Sequence, residues 1–97
     1  MEKNYYAVKL IAPRPDFPLT MSESERDVMQ RHVIYWQEHM EKGMVHAFGP
    51  VMDPKGAYGF GIVSGQNEEQ IKEFVNNDPA LEVITAEYYP MMAIVAK

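Results

Sequence analysis

Three histidines, His32, His39 and His46, recur at intervals of seven residues. Imidazoles at regular spacing suggest either a metal site or an acid–base group. On a helix, His32 and His39 would stand two turns apart, about 10.5 Å along the axis. Two ligands of one ion lie within roughly 4 Å of each other, given ~2.1 Å bonds to the metal. Only His46, on the next strand, could join either one, and the pattern supplies no third ligand. The spacing therefore predicts no metal. His32 remains an acid–base candidate in search of a carboxylate. Asp78 is the obvious partner, with Asp53 the alternative, and both stand in Asp-Pro turn dipeptides. A carboxylate that accepts one ring N–H fixes the tautomer and leaves the other nitrogen for a substrate. Such general acid–base machinery is worth about 10²- to 10⁴-fold when well placed. No activated nucleophile accompanies it, since cysteine is absent and Ser22, Ser24 and Ser64 read as cap and turn residues. Gly56–Gly61 leads into a strand rather than a helix, so it is not a phosphate loop. No cofactor is expected.

The elements that must hold these residues can be read in order. Asn4–Ile11 alternates as a strand with two largely apolar faces, the mark of a central position. Ala12–Leu19 carries Pro13, Pro15 and Pro18 and is expected to be irregular. Ser22 and Glu25 form a capping box for a helix that stops at Gly43, with an apolar stripe of Met29, Val33, Trp36 and Met40. His32 borders that stripe. Met44–Val51 reads as a second strand, followed by the turn Asp53-Pro54-Lys55-Gly56. In the third strand, Ala57–Val63, Tyr58, Phe60 and Ile62 share one face. Gly59 and Gly61 leave the other face shallow, where a helix or ligand can approach. Asn67 caps a short helix with Ile71, Phe74 and Val75 inward. Val83–Val95 reads as a last strand, and Pro90 assigns it to an edge or a bulge.

Strand, helix, strand, strand, helix, strand is the ferredoxin-like α+β arrangement, βαββαβ, with an antiparallel four-stranded sheet and two helices on one face. The first and third strands are central, and Pro50 and Pro90 fall on the edges. The second sheet face is left bare and apolar, which predicts an interaction surface. Its simplest cover is a second copy, giving a homodimer.

Composition agrees with one domain spanning residues 1–97. The chain is 46% hydrophobic and 24% charged, as globular domains are. Its net charge of −5, with scattered basic residues, argues against nucleic acid, which demands a cationic face. Nothing approaches the ~18 apolar residues of a membrane span, and Met1–Lys9 lacks a secretory leader. A cytoplasmic protein is expected. Eight methionines, six tyrosines and four phenylalanines suit an adaptable core or a pocket for a small organic ligand.

The run from His32 to Gly43 and Gly49-Pro50, then Gly56 and Gly59, then Asn77-Asp78-Pro79-Ala80, resembles the YCII-related family over about Tyr5 to Val95. The resemblance implies a ferredoxin-like fold, a dimeric α+β barrel, and a histidine–aspartate pair in a pocket that maps onto His32 and Asp78. Three features depart from the family pattern. Arg31 is adjacent to His32 and would point about 100° away around a helix. The proline-rich loop is long and is placed to shape one pocket wall. The end of the chain, Ala93–Ala96, is apolar.

The reading that joins these observations is a cofactor-independent acid–base enzyme acting on a small cyclic or aromatic substrate. Isomerisation, or elimination such as dehydrochlorination, fits, and relatives of this barrel class carry out such reactions. Tyr35, Gly49, Pro50, Tyr58 and Phe60 are expected to line the substrate pocket. The alternatives are a non-catalytic binding or accessory domain and a purely structural dimer module.

Overall fold

A computed structural model describes residues 4–96. Met1–Lys3 and Lys97 lie outside them, and with them part of the expectation of no leader at Met1–Lys9. The strands are β1 (Asn4–Ile11), β2 (Val45–Val51), β3 (Tyr58–Gly65) and β4 (Thr85–Met91). The helices are α1 (Phe17–Thr20), α2 (Glu23–Glu41) and α3 (Glu68–Asn76), and a 3₁₀ turn spans Pro79–Glu82. The sheet is antiparallel in the order β2-β3-β1-β4. β1 and β3 are central, and Pro50 and Pro90 sit on the two edge strands, where a missing N–H donor is tolerated. This α+β architecture is ferredoxin-like. No helix among the described residues is long and apolar enough to cross a membrane.

Register assigns the two faces. Tyr6, Val8 and Leu10 pair with Val63, Gly61 and Gly59 and lie under the helices, and with Trp36, Ile71, Phe74 and Val75 they make the core. A methyl group at Gly61 would collide with the six-membered ring of Trp36. The shallow floor expected at this strand is therefore the seat of the indole.

At the start of α2, Ser22 Oγ accepts from Glu25 N–H, and the Glu25 carboxylate accepts from Ser22 N–H. At its end, Gly43 takes φ +83°, Gly43 N–H donates to Met40 O, and Met44 N–H donates to His39 O. Together these make a Schellman stop, and the left-handed angle is one that glycine adopts without penalty.

Four expectations are corrected. The buried stripe of α2 is Val28, His32 and Trp36, one position away from Met29, Val33 and Met40; Val33 and Met40 are exposed. Histidine thus occupies the centre of the inward face, because Asp78 satisfies it there. The proline-rich segment contains the short helix α1, since Pro18 falls in the first turn, where a missing N–H is harmless. Ser64 is a buried strand residue, held between Met44 and His46, rather than a turn residue. The last strand is shorter than Val83–Val95, because Asp78-Pro79 starts a 3₁₀ turn that runs to Glu82.

Candidate functional site

The three histidines are held in three different places. His39 Nδ1 meets the Tyr35 carbonyl at 2.8 Å, one turn back on its own helix. His46 Nε2 lies 2.7 Å from Ser64 Oγ on the sheet. His32 projects from the middle of α2 onto Asp78, with Nδ1 3.0 Å from Oδ1 and 2.9 Å from Oδ2. Asp53 is elsewhere, its Oδ1 accepting from Lys55 N–H in the β2–β3 turn.

Asp78 is fixed from three sides. Trp36 Nε1–H donates to Oδ2 at 2.6 Å, and Ala80 N–H donates to Oδ1 at 2.9 Å. His32 spans both oxygens. The Asp78 side chain is 2% exposed and that of His32 7%. A buried carboxylate is tolerated where donors satisfy it, and here each oxygen has one fixed donor besides the histidine. The bond to Ala80 is also the cap of the 3₁₀ turn, so the backbone sets the position of the carboxylate. An acceptor-only carboxylate requires the hydrogen on His32 Nδ1. In the neutral form of the ring Nε2 is then the nitrogen without a hydrogen.

His32 opens onto a cavity of about 240 Å³ between α1, α2 and the β2–β3 hairpin. Among the described residues no buried side-chain nitrogen or oxygen lacks a partner, and Nε2 makes no hydrogen bond to any of them; it therefore faces this space. Gly49 and Pro50 of β2 and the β3 segment through Tyr58 and Phe60 border the cavity. Phe17, Pro18 and Met21 form the opposite wall, so the proline-rich segment does shape one side. Arg14 fastens that segment, donating from Nη1 and Nη2 to Glu25 at 3.1 and 2.7 Å and from Nη2 to Thr20 O at 2.7 Å. The Arg14 guanidinium, followed by Ser22 N–H, pulls the Glu25 carboxyl down to about 2.

The YCII-related domain family matches residues 6–94. The chain belongs to this family. No curated protein gives a significant match. Among solved structures, an uncharacterized protein from Thermotoga maritima aligns with a TM-score of 0.59 at 11% identity, covering 93% of this chain and 99% of that one. At that identity the likeness speaks for the fold.

Within this YCII-related domain, Tyr35 does not reach the cavity. Its ring stacks on Phe74 at 5.2 Å, and its hydroxyl donates to Phe74 O at 2.6 Å. Burial, reinforced by the charges of Asp78 and Glu73, pushes that hydroxyl up to about 12. The one-residue rotation of α2 explains the difference: centring His32 inward turns Tyr35 toward α3. Arg31 points outward as expected, pairing with Glu82 at 3.0 Å and Asp27 at 3.3 Å, and so clips the 3₁₀ turn to α2 from outside. Sequence reasoning missed one bond. Trp36 reads as a core residue or an apolar wall, yet its indole N–H holds Asp78, in the room that Gly61 leaves. The available signal was the i, i+4 spacing of His32 and Trp36, which puts both side chains on one face.

Proposed function

We propose that this YCII-related protein is a cofactor-independent acid–base enzyme, an isomerase or lyase of the dehydrochlorinase type, acting on a small cyclic or aromatic molecule. The observation that carries the reading is His32 Nδ1 on a buried, fully satisfied carboxylate, with the same ring lining an apolar cavity. In an isomerisation Nε2 takes a proton from an acidic carbon, the Asp78 carboxylate stabilises the imidazolium, and the same nitrogen returns the proton at another carbon. In an elimination the proton stays on Nε2 while halide leaves from the neighbouring carbon, and a later transfer to water resets the ring. The proposed working form is a cytoplasmic homodimer through the open sheet face. The half-buried Tyr58, Phe60 and Ile62 lie there with the exposed Tyr89 and Met91, and a closed pair would cover them.

A generic probe tests the reading: conversion of β,γ-unsaturated cyclic ketones to their conjugated isomers, followed by ultraviolet absorbance. Wild type is expected to accelerate it and His32→Gln to lose about 10²-fold or more. Equal rates for the two proteins, or ligands that bind and return unchanged, would make this a binding domain instead. Light scattering checks the assembly: twice the 11.2 kDa chain mass is expected, and a monomer at micromolar concentration contradicts it.

A further inference from the structure

The cavity also selects by charge. Its volume, about 240 Å³, lies below the roughly 300–1,000 Å³ typical of pockets for drug-sized ligands. One ring with small substituents is the largest molecule it suits. The walls that would meet such a ring include Phe17, Trp36, Phe48, Met21 and Met29, side chains that favour flat or cyclic hydrocarbon. Among the described residues no lysine, arginine, aspartate or glutamate lines it. Trp36 Nε1–H is already committed to Asp78. Behind the one free nitrogen stands the Asp78 carboxylate, 2.9 Å from the ring and sealed from water, so its field reaches the cavity with little screening. Arg14, which lies 5.1 Å from the centre of the Phe17 ring in the cavity wall, is engaged with Glu25.

Building on the acid–base reading above, we infer that the cavity takes uncharged ring compounds carrying one weakly acidic hydrogen and rejects their anionic counterparts. The acidic hydrogen faces Nε2, and the remainder of the molecule meets only hydrocarbon, sulfur and aromatic surface. A carboxylate at the same place would lose its hydration and sit beside a buried like charge.

Matched probes test this without turnover. Cyclohexanone and cyclohexanecarboxylate share a ring and differ in charge. Binding is read from the fluorescence of Trp36, the chain's single tryptophan, and from the ring signals of His32 by NMR. The ketone is expected to move both at millimolar concentration, and the carboxylate to bind at least about tenfold more weakly, as an unscreened like charge at this range requires. Met29→Phe, which narrows the cavity without adding a second tryptophan, should weaken the ketone response while the far-ultraviolet circular dichroism stays unchanged. A carboxylate that binds as well as the ketone, or better with uptake of a proton, overturns the inference. So does silence from both probes. Failure of the acid–base reading looks different: the ketone binds, but its α-hydrogens never exchange with deuterium in heavy water.

Discussion

Two histidine pairs in this chain look alike on paper and differ in what they can do. His46 meets Ser64 at 2.7 Å on the open sheet face, with Tyr5 tilted against it at 5.2 Å. His32 meets Asp78 at 2.9 Å beneath the helices. The first pair spends Nε2 on a neutral hydroxyl, and that histidine is exposed to water. The second spends Nδ1 on a charged acceptor and keeps Nε2 for a cavity. A histidine becomes an acid–base group through which nitrogen is occupied and what the other one faces, and a polar neighbour alone does not suffice.

The two regions should respond to mutation unequally. Asp78→Ala leaves three buried donors without an acceptor and uncaps the 3₁₀ turn, so unfolding in urea should show a loss of roughly 3–5 kcal/mol. A loss under about 1 kcal/mol would mean that the pair is solvated and no stronger than that of His46. Trp36→Phe keeps an aromatic ring but deletes the 2.6 Å bond to Asp78, and should cost at least about 1.5–3 kcal/mol, as hydrogen bonds to charged groups do. Gly61→Ala should cost about 1–3 kcal/mol through overpacking against the same indole, and its effect should largely vanish in the Trp36→Phe background if the collision is its cause.

Acid should loosen the cavity wall through Glu25. Glu25 is held at about 2 against an ordinary 4.5, so its contribution is complete above pH 4.5 and fades as pH falls toward 2. The gap in urea midpoint between wild type and Glu25→Gln should be wide at pH 6 and close near pH 2. A gap independent of pH would mean that Arg14 does not secure the cavity wall through this carboxylate. Ser64→Ala should be the mildest change, about 1 kcal/mol or less, because His46 can turn to water. A cost equal to that of Asp78→Ala would erase the contrast between the pairs.

Much of the scaffold was legible because it rests on local chemistry. β1, the capping box of Ser22 and Glu25, the stop at Gly43, the cap at Asn67 and the central positions of β1 and β3 all follow from spacing and from residues with one strong local preference. The helix phase was not legible. Hydropathy places Val33 and Met40 inward and histidine at the border, whereas a distant carboxylate makes histidine the better buried residue; that error of one position also misplaced Tyr35. The short helix α1 was hidden by counting prolines without asking which one begins a turn. Of the site, the pairing of His32 with Asp78 was readable. The bond from Trp36 to Asp78 was not, because it joins residues 42 positions apart and tryptophan fits a core without further explanation.

The most direct test of the central claim is nitrogen-15 NMR of the His32 ring in wild type and in Asp78→Asn, which separates the two neutral tautomers. The account predicts that neutral His32 carries its hydrogen on Nδ1 in wild type, and that Asp78→Asn abolishes this preference while leaving the signals of His46 in place. A hydrogen on Nε2 in wild type, or a tautomer indifferent to Asp78, would contradict it.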